Sequence, residues 1–235
     1  AKSLHHCVFE DIYFARPDSV MDSGRVYTRR RLLGQQLAKE WSTKGLEADV
    51  IVAVPDTSRP AAQAMAEALK LPNREGFIKN RYSGRTFIMP DQSTREAAMR
   101  LKLNPIDEIF RGQRVIMVDD SIVRGTTMRR MVDLIRRHEP AAVHVAIFSP
   151  PVRNPCFYGI DMPSRAELVA SQVPGDELEE KLAEKFGTDS VTFLSRRGLL
   201  EVAGNDICAA CFTGEYPIPV NKDERGYILK ERRPA

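Results

Sequence analysis

Short apolar runs alternate with amphipathic stretches along most of the chain. Asp49-Val-Ile-Val-Ala-Val54, Val115-Ile-Met-Val118 and Ala142-Val-His-Val-Ala-Ile-Phe148 are brief and almost uninterruptedly apolar, so each reads as a buried inner strand. Between them the apolar residues fall at helical spacing. Thr28 is the expected N-cap of a basic helix running to about Trp41, with Leu32, Leu33, Leu37 and Trp41 as its buried stripe. An Ala-rich helix is expected from Pro60 to about Leu69, where Ala61, Ala62, Met65 and Leu69 permit close approach to a sheet. Met128, Met131, Val132 and Ile135 mark a third helix. Strands separated by helices at this spacing predict βαβ units, hence an α/β fold with a mostly parallel central sheet flanked by helices.

The flanks are less regular. Cys7 to Phe14 alternates enough to predict a strand, followed by a turn-rich stretch from Arg16 to Gly24. Glu75 to Ile78 reads as a short strand. Residues 79–102 are basic and hydroxyl-rich, broken by Gly84 and Pro90, with Thr94 to about Leu101 helical. Beyond Cys156 the pattern shifts to helices at Ser164–Ser171 and Asp176–Phe186 and a short strand near Val191–Phe193. These read as a C-terminal appendage wrapped on a core of about residues 25–150, within one domain spanning 1–220. Residues 221–235, with Lys222, Arg225, Lys230, Arg232 and Arg233, form a polar tail expected to be disordered.

Composition narrows the class only modestly. In 235 residues, 35 basic and 32 acidic side chains leave a net charge of +3, too small to argue for nucleic acid. No apolar run approaches a membrane span and no signal peptide opens the chain. The four cysteines, Cys7, Cys156, Cys208 and Cys211, are not spaced as a secreted disulfide framework; a reducing, cytoplasmic setting is expected.

The richest chemistry lies at Val118-Asp-Asp-Ser-Ile-Val-Arg-Gly-Thr-Thr127. A strand ends on Asp119 and Asp120, and a turn through Ser121, Arg124, Gly125, Thr126 and Thr127 enters the third helix. Backbone N–H groups at a helix N-terminus suit a phosphate, and the neighbouring carboxylates suit sugar hydroxyls or a magnesium ion. The first strand repeats this logic. Asp56, Thr57 and Ser58 offer successive N–H groups and two hydroxyls to a second anion, although Pro-Asp-Thr-Ser is equally a turn with an N-cap. Ligands of open parallel sheets collect at such strand ends. Neither a G-x-G-x-x-G nor a G-x-x-x-x-G-K-[ST] nucleotide loop occurs. The loop Lys79-Asn-Arg-Tyr-Ser-Gly-Arg-Thr-Phe87 carries Lys79, Arg81 and Arg85 beside Tyr82 and a hinge-capable Gly84. It reads either as a solvated basic loop or as a flap closing on a charged leaving group.

The acidic pair and its loop resemble the signature of the type I phosphoribosyltransferases, which bind phosphoribosyl pyrophosphate. That resemblance implies a type I phosphoribosyltransferase fold, with Asp119 and Asp120 on the ribose hydroxyls and the following loop on the 5′-phosphate. It also implies Thr57, Asp119 and Asp120 near Mg2+, and Lys79, Arg81 and Tyr82 at the reacting end. Tyr13-Phe-Ala-Arg-Pro-Asp-Ser19, Ile78 to Ile88, Val118 to Thr127 and Pro155-Cys-Phe-Tyr-Gly-Ile-Asp161, in this order, are similar to the glutamine phosphoribosylpyrophosphate amidotransferases. The match covers roughly Cys7 to Pro217. It implies phosphoribosylamine formation in purine synthesis, feedback by purine nucleotides, and a homo-oligomer. The glutaminase domain of that family has no counterpart in this sequence, so ammonia is the expected nitrogen donor.

The same resemblance gives Cys7, Cys156, Cys208 and Cys211 a reading as ligands of a [4Fe–4S] cluster. By spacing alone, the single C-x-x-C pair suits zinc or an iron–sulfur centre. Rival readings are a sensor of phosphoribosyl pyrophosphate or purines that controls transcription, a transferase acting on a free base, and a zinc-stabilised interaction module.

Overall fold

The computed structural model describes residues 5–21, 24–79 and 103–220. Arg81, Tyr82, Gly84, Arg85, the helix expected at 94–101 and the polar tail lie outside the described residues.

Five parallel strands form the central sheet, in the order β10-β9-β8-β4-β5. These are β4 (Val50–Ala53), β5 (Asn73–Arg74), β8 (Arg114–Asp119), β9 (Ala142–Ile147) and β10 (Ser190–Phe193). Alternation along β4, β8 and β9 feeds two separate cores. Ile116 and Val118 of β8 face one cluster, with Leu33, Leu37 and Trp41 of helix α1 (Val26–Ser42) and Ala61, Ala62 and Met65 of α2 (Arg59–Leu69). Val115 and Met117 face the other, with Met128, Met131, Val132 and Ile135 of α4 (Thr126–Arg136) and Leu178, Leu182 and Phe186 of α5 (Leu178–Phe186). Period-two side-chain placement thus sandwiches the sheet between helices.

Helices α1 and α2 approach unusually closely: a Cβ built on Gly34 would lie 2.1 Å from the Ala61 carbonyl oxygen. Two antiparallel pairs stand apart from the main sheet, β2 (Val20–Met21) with β3 (Gly24–Arg25) and β6 (Phe77–Lys79) with β7 (Leu103–Pro105), and α3 (Asp107–Phe110) leads back into it. Near the C-terminus come α6 (Arg196–Ala203), β11 (Ile207–Cys208) and α7 (Ala210–Thr213). Among the described helices none is long and apolar enough to cross a membrane.

Several local expectations are corrected. Only His6–Cys7 is extended (β1), and it pairs in parallel with β11, tying the two ends of the domain together. Glu10–Phe14 is a wide helical turn of the i to i+5 type, closed by Ala15 N–H donating to the Glu10 carbonyl at 2.9 Å. Helix α1 begins at Val26, before Thr28, and Leu32 of the expected stripe is 42% exposed. The strand expected at Glu75 starts at Phe77. Ser164–Ser171 folds as two short 3-10 turns, Arg165–Glu167 and Val169–Gln172. Finally, β10 is the fifth strand of the main sheet, so the C-terminal region completes the core.

Candidate active site

Pairing of β4 with β8 sets the two chemistry-bearing turns side by side. Ala53 is in register with Val118, and Val54 N–H donates to the Val118 carbonyl at 2.8 Å. The next residues of both strands therefore leave the sheet together, at its carboxyl edge. From β4 come Pro55, Asp56, Thr57 and Ser58, with a cis peptide bond between Pro55 and Asp56. From β8 come Asp119, Asp120 and the loop to Gly125.

The acid pair is built into the protein. Asp120 is buried and Asp119 partly so. One oxygen of Asp119, Oδ1, accepts from Asp120 N–H at 2.9 Å and lies 3.2 Å from Ser58 Oγ. Asp120 Oδ1 accepts from Ser121 Oγ at 2.6 Å. Burial, then the neighbouring Asp120 charge, pushes the Asp119 carboxyl well above the usual range. Burial also raises Asp120, to about 6, against the Ser121 hydrogen bond and the positive charge of Arg30. Two carboxylates so placed resist ionising without a cation.

Ser58 is wholly buried, and its hydroxyl also donates to the Val54 carbonyl at 2.7 Å. It therefore faces inward and joins the two turns. Asp56 and Thr57 stay accessible. Lys79 Nζ, at the end of β6, meets Asp56 Oδ2 at 2.7 Å, and Arg59 lies 3.8 Å from Asp56 while pairing with Glu75. On the other turn, Gly125 adopts φ 77° and caps α4, with Thr126 and Thr127 exposed at the first turn. A Cβ at Gly125 would meet the Phe186 ring at 2.8 Å. Arg124 pairs with Glu167 at 3.0 Å, and Glu167 also accepts from Ser164.

Arg30 escaped the reading of the sequence. It is 1% exposed, and its guanidinium donates to the carbonyls of Asp11 (2.7 Å), Tyr13 (3.2 Å) and Ala15 (2.8 Å). The available signal was its position: an arginine on the same face of α1 as Leu33, Leu37 and Trp41.

The four cysteines come from distant parts of the chain, and Cys211 lies within electrostatic reach of Cys7, Cys156 and Cys208. Cys7 and Cys208 are register partners. Burial, then Cys7, Cys156 and Cys208, pushes the Cys211 thiol far above the ordinary thiol range. Among the described residues no three His, Cys, Asp or Glu side chains converge to hold a single metal ion.

Residues 28–155 match the phosphoribosyl transferase domain family. The chain is 48% identical to an amidophosphoribosyltransferase of Synechocystis sp., over 91% of this chain and 42% of that relative. It is 50% identical to the Archaeoglobus fulgidus amidophosphoribosyltransferase, over 93% of this chain and 47% of the relative. The glutamine phosphoribosylpyrophosphate amidotransferase of B. subtilis, solved with ADP and GMP, superposes with a TM-score of 0.82. It shares 46% identity over 94% of this chain and 49% of its own. The chain thus spans less than half the length of these relatives. With paired polar turns around a buried acid pair, and with that match over more than half its length, this chain belongs to the phosphoribosyl transferase domain family.

Proposed function

We propose that the chain transfers the phosphoribosyl group of phosphoribosyl pyrophosphate to ammonia, giving 5-phosphoribosylamine and pyrophosphate, the first committed step of purine synthesis. The register of β4 on β8 supports this reading, because it brings two polar strand-end turns, one of them carrying the acid pair, side by side. Likeness to amidophosphoribosyltransferases favours ammonia over a free base as acceptor.

On this reading Asp119 and Asp120 take the ribose hydroxyls and, with Thr57, hold Mg2+. The pair fits that ion: burial and mutual repulsion disfavour both charges, and a dication offsets the cost. Bound magnesium supplies charge neutralisation for the departing pyrophosphate. Ser121, Gly125, Thr126 and Thr127 hold the 5′-phosphate at the start of α4, and Arg124 joins them on leaving Glu167. Asp56 and Thr57 bind the pyrophosphate through backbone N–H groups, while Ser58 fixes Asp119. Lys79, Arg81 and Arg85 supply positive charge over the leaving group, and Tyr82 covers the sugar.

The reaction is a displacement with inversion at C1. The C1–O bond breaks with its electron pair going to pyrophosphate, ammonia's lone pair forms C1–N, and the resulting ammonium releases a proton to water. Alignment and leaving-group stabilisation dominate, so no strong base is required.

Cys7, Cys156, Cys208 and Cys211 would hold a [4Fe–4S] cluster through their thiolates. The mutual influence of the four thiols supports that fit. The cluster would tie β1, the segment before Phe157 and α7 together. Purine nucleotides as feedback inhibitors, a glutaminase domain as ammonia source, a homo-oligomeric assembly and a cytoplasmic location complete the reading. Ammonia-dependent turnover tests it: Asp119→Ala with Asp120→Ala should abolish product without unfolding the protein, and near-normal turnover in the folded double variant would refute it. Iron and acid-labile sulfide at about four each per chain are expected; zinc instead would exclude the cluster.

A further inference from the structure

We propose that a groove at the free edge of the sheet is a second ligand site, for a small organic anion with a flat apolar body. The groove, of about 790 Å3, lies beyond the end of edge strand β10, between the last turns of α1, residues 150–153 and the start of α6. That volume suits a small molecule, such sites spanning roughly 300–1,000 Å3. It goes beyond the transferase reading and shares no residue with that site.

Three observations fix the chemistry. Pro150, Pro151, Phe193 and Phe212 supply apolar walls. Thr192, another lining residue, is 1% exposed, and its hydroxyl has no hydrogen-bond partner among the described residues. A buried hydroxyl in that state calls for a polar atom from outside. The cations complete the pattern. Lys44, Arg196 and Arg197 pair with Glu179, Glu215 and Glu201. Lys39 and Arg153 have no acidic partner among the described residues; Lys39 Nζ meets Gln36 Oε1 at 3.2 Å and Arg153 Nη1 donates to the Val173 carbonyl at 3.0 Å.

The acids of the groove are turned to protein donors. Glu40 accepts from Ser195 N–H and Oγ–H, both at 2.8 Å, and Glu179 accepts from Phe193 N–H at 2.9 Å. This last bond also closes an outward donor of the edge strand, which disfavours an added peptide strand and favours a small molecule. Two cations satisfied only by neutral groups, beside apolar walls, select an anion that is more than bare phosphate.

Phenyl phosphate is a suitable probe, measured by calorimetry on the whole chain beside inorganic phosphate. Saturable binding of one molecule per chain is expected, with inorganic phosphate about tenfold weaker. Lys39→Gln with Arg153→Gln should weaken phenyl phosphate about tenfold or more, and Thr192→Val about threefold. Thr126→Val, in the phosphate turn of the transferase site, should leave it unchanged. Absence of saturation, or undiminished binding by the folded double variant, overturns the proposal. So does binding lost in Thr126→Val and kept in the double variant, which would assign the probe to the transferase site. Should Arg153→Gln fail to fold, Lys39→Gln and Thr192→Val carry the test, and unchanged affinity in both overturns it.

Discussion

Asp120→Asn should make the ligand-free protein more stable at neutral pH while disabling it. Asp120 is 7% exposed, and burial moves its half-protonation from 3.8 to about 6. That displacement of about 2.2 decades, at about 1.36 kcal/mol each, costs about 3 kcal/mol when the group is ionised in the folded state. Below pH 3.8 the carboxyl is neutral folded and unfolded, and the penalty vanishes. Between 3.8 and about 6 only the unfolded chain is ionised, so wild-type stability falls as pH rises, then levels off above about 6. Asparagine can still accept the Ser121 hydrogen bond and carries no charge, so the variant's advantage should grow through that window. It should also relieve the repulsion on Asp119. Urea unfolding at pH 5 and pH 8, without Mg2+ or substrate, measures the difference. An advantage of about 3 kcal/mol at pH 8 corresponds to roughly 6–12 °C in Tm for a domain of this size. Equal stability of the two proteins at pH 8 would refute the claim that the acid pair stores electrostatic strain.

Other perturbations probe the supports of the site. Ser58→Ala should cost about 1–2 kcal/mol of stability and lower kcat/KM about tenfold, because it frees Asp119 and orphans the Val54 carbonyl; Ser58→Thr should recover most of the rate, and an unaltered rate in Ser58→Ala would show that the link is idle. Gly125→Ala meets both a left-handed φ of 77° and the Phe186 ring, so urea midpoints should report a loss of about 2–4 kcal/mol, with KM for phosphoribosyl pyrophosphate raised. Gly34→Ala, with the Ala61 backbone in its way, should cost about 3 kcal/mol or more in urea unfolding and leave KM of the surviving folded fraction unchanged.

Local pattern carried much of this protein. The buried strands β4, β8 and β9 and helices α2 and α4 follow from short apolar runs and helical periodicity, since burial of one face is written into adjacent residues. Asp119, Asp120 and Gly125 stand where the strand–turn–helix pattern of their own segment put them. Other features depend on partners far away in the chain. His6–Cys7 is extended because Ile207–Cys208 lies beside it, whereas Glu10–Phe14 coils into a wide turn held by Arg30. Arg30 looked like one more cation of a basic helix; burial against the turn and near Asp120 gives it a different meaning. Likewise Ser58 reads as a phosphate donor in sequence, but β4–β8 pairing turns its hydroxyl toward Asp119.

Residue order alone therefore determined the layered α/β class, the positions of the strand-end turns and the polar residues they carry, because each rests on neighbours within a few residues. Tertiary structure decided which turns meet, that Ser190–Phe193 closes the sheet, and that Cys7 lies beside Cys208 on paired strands. Those outcomes depend on strand register and long-range packing, where contacts between distant residues outweigh what any local pattern specifies.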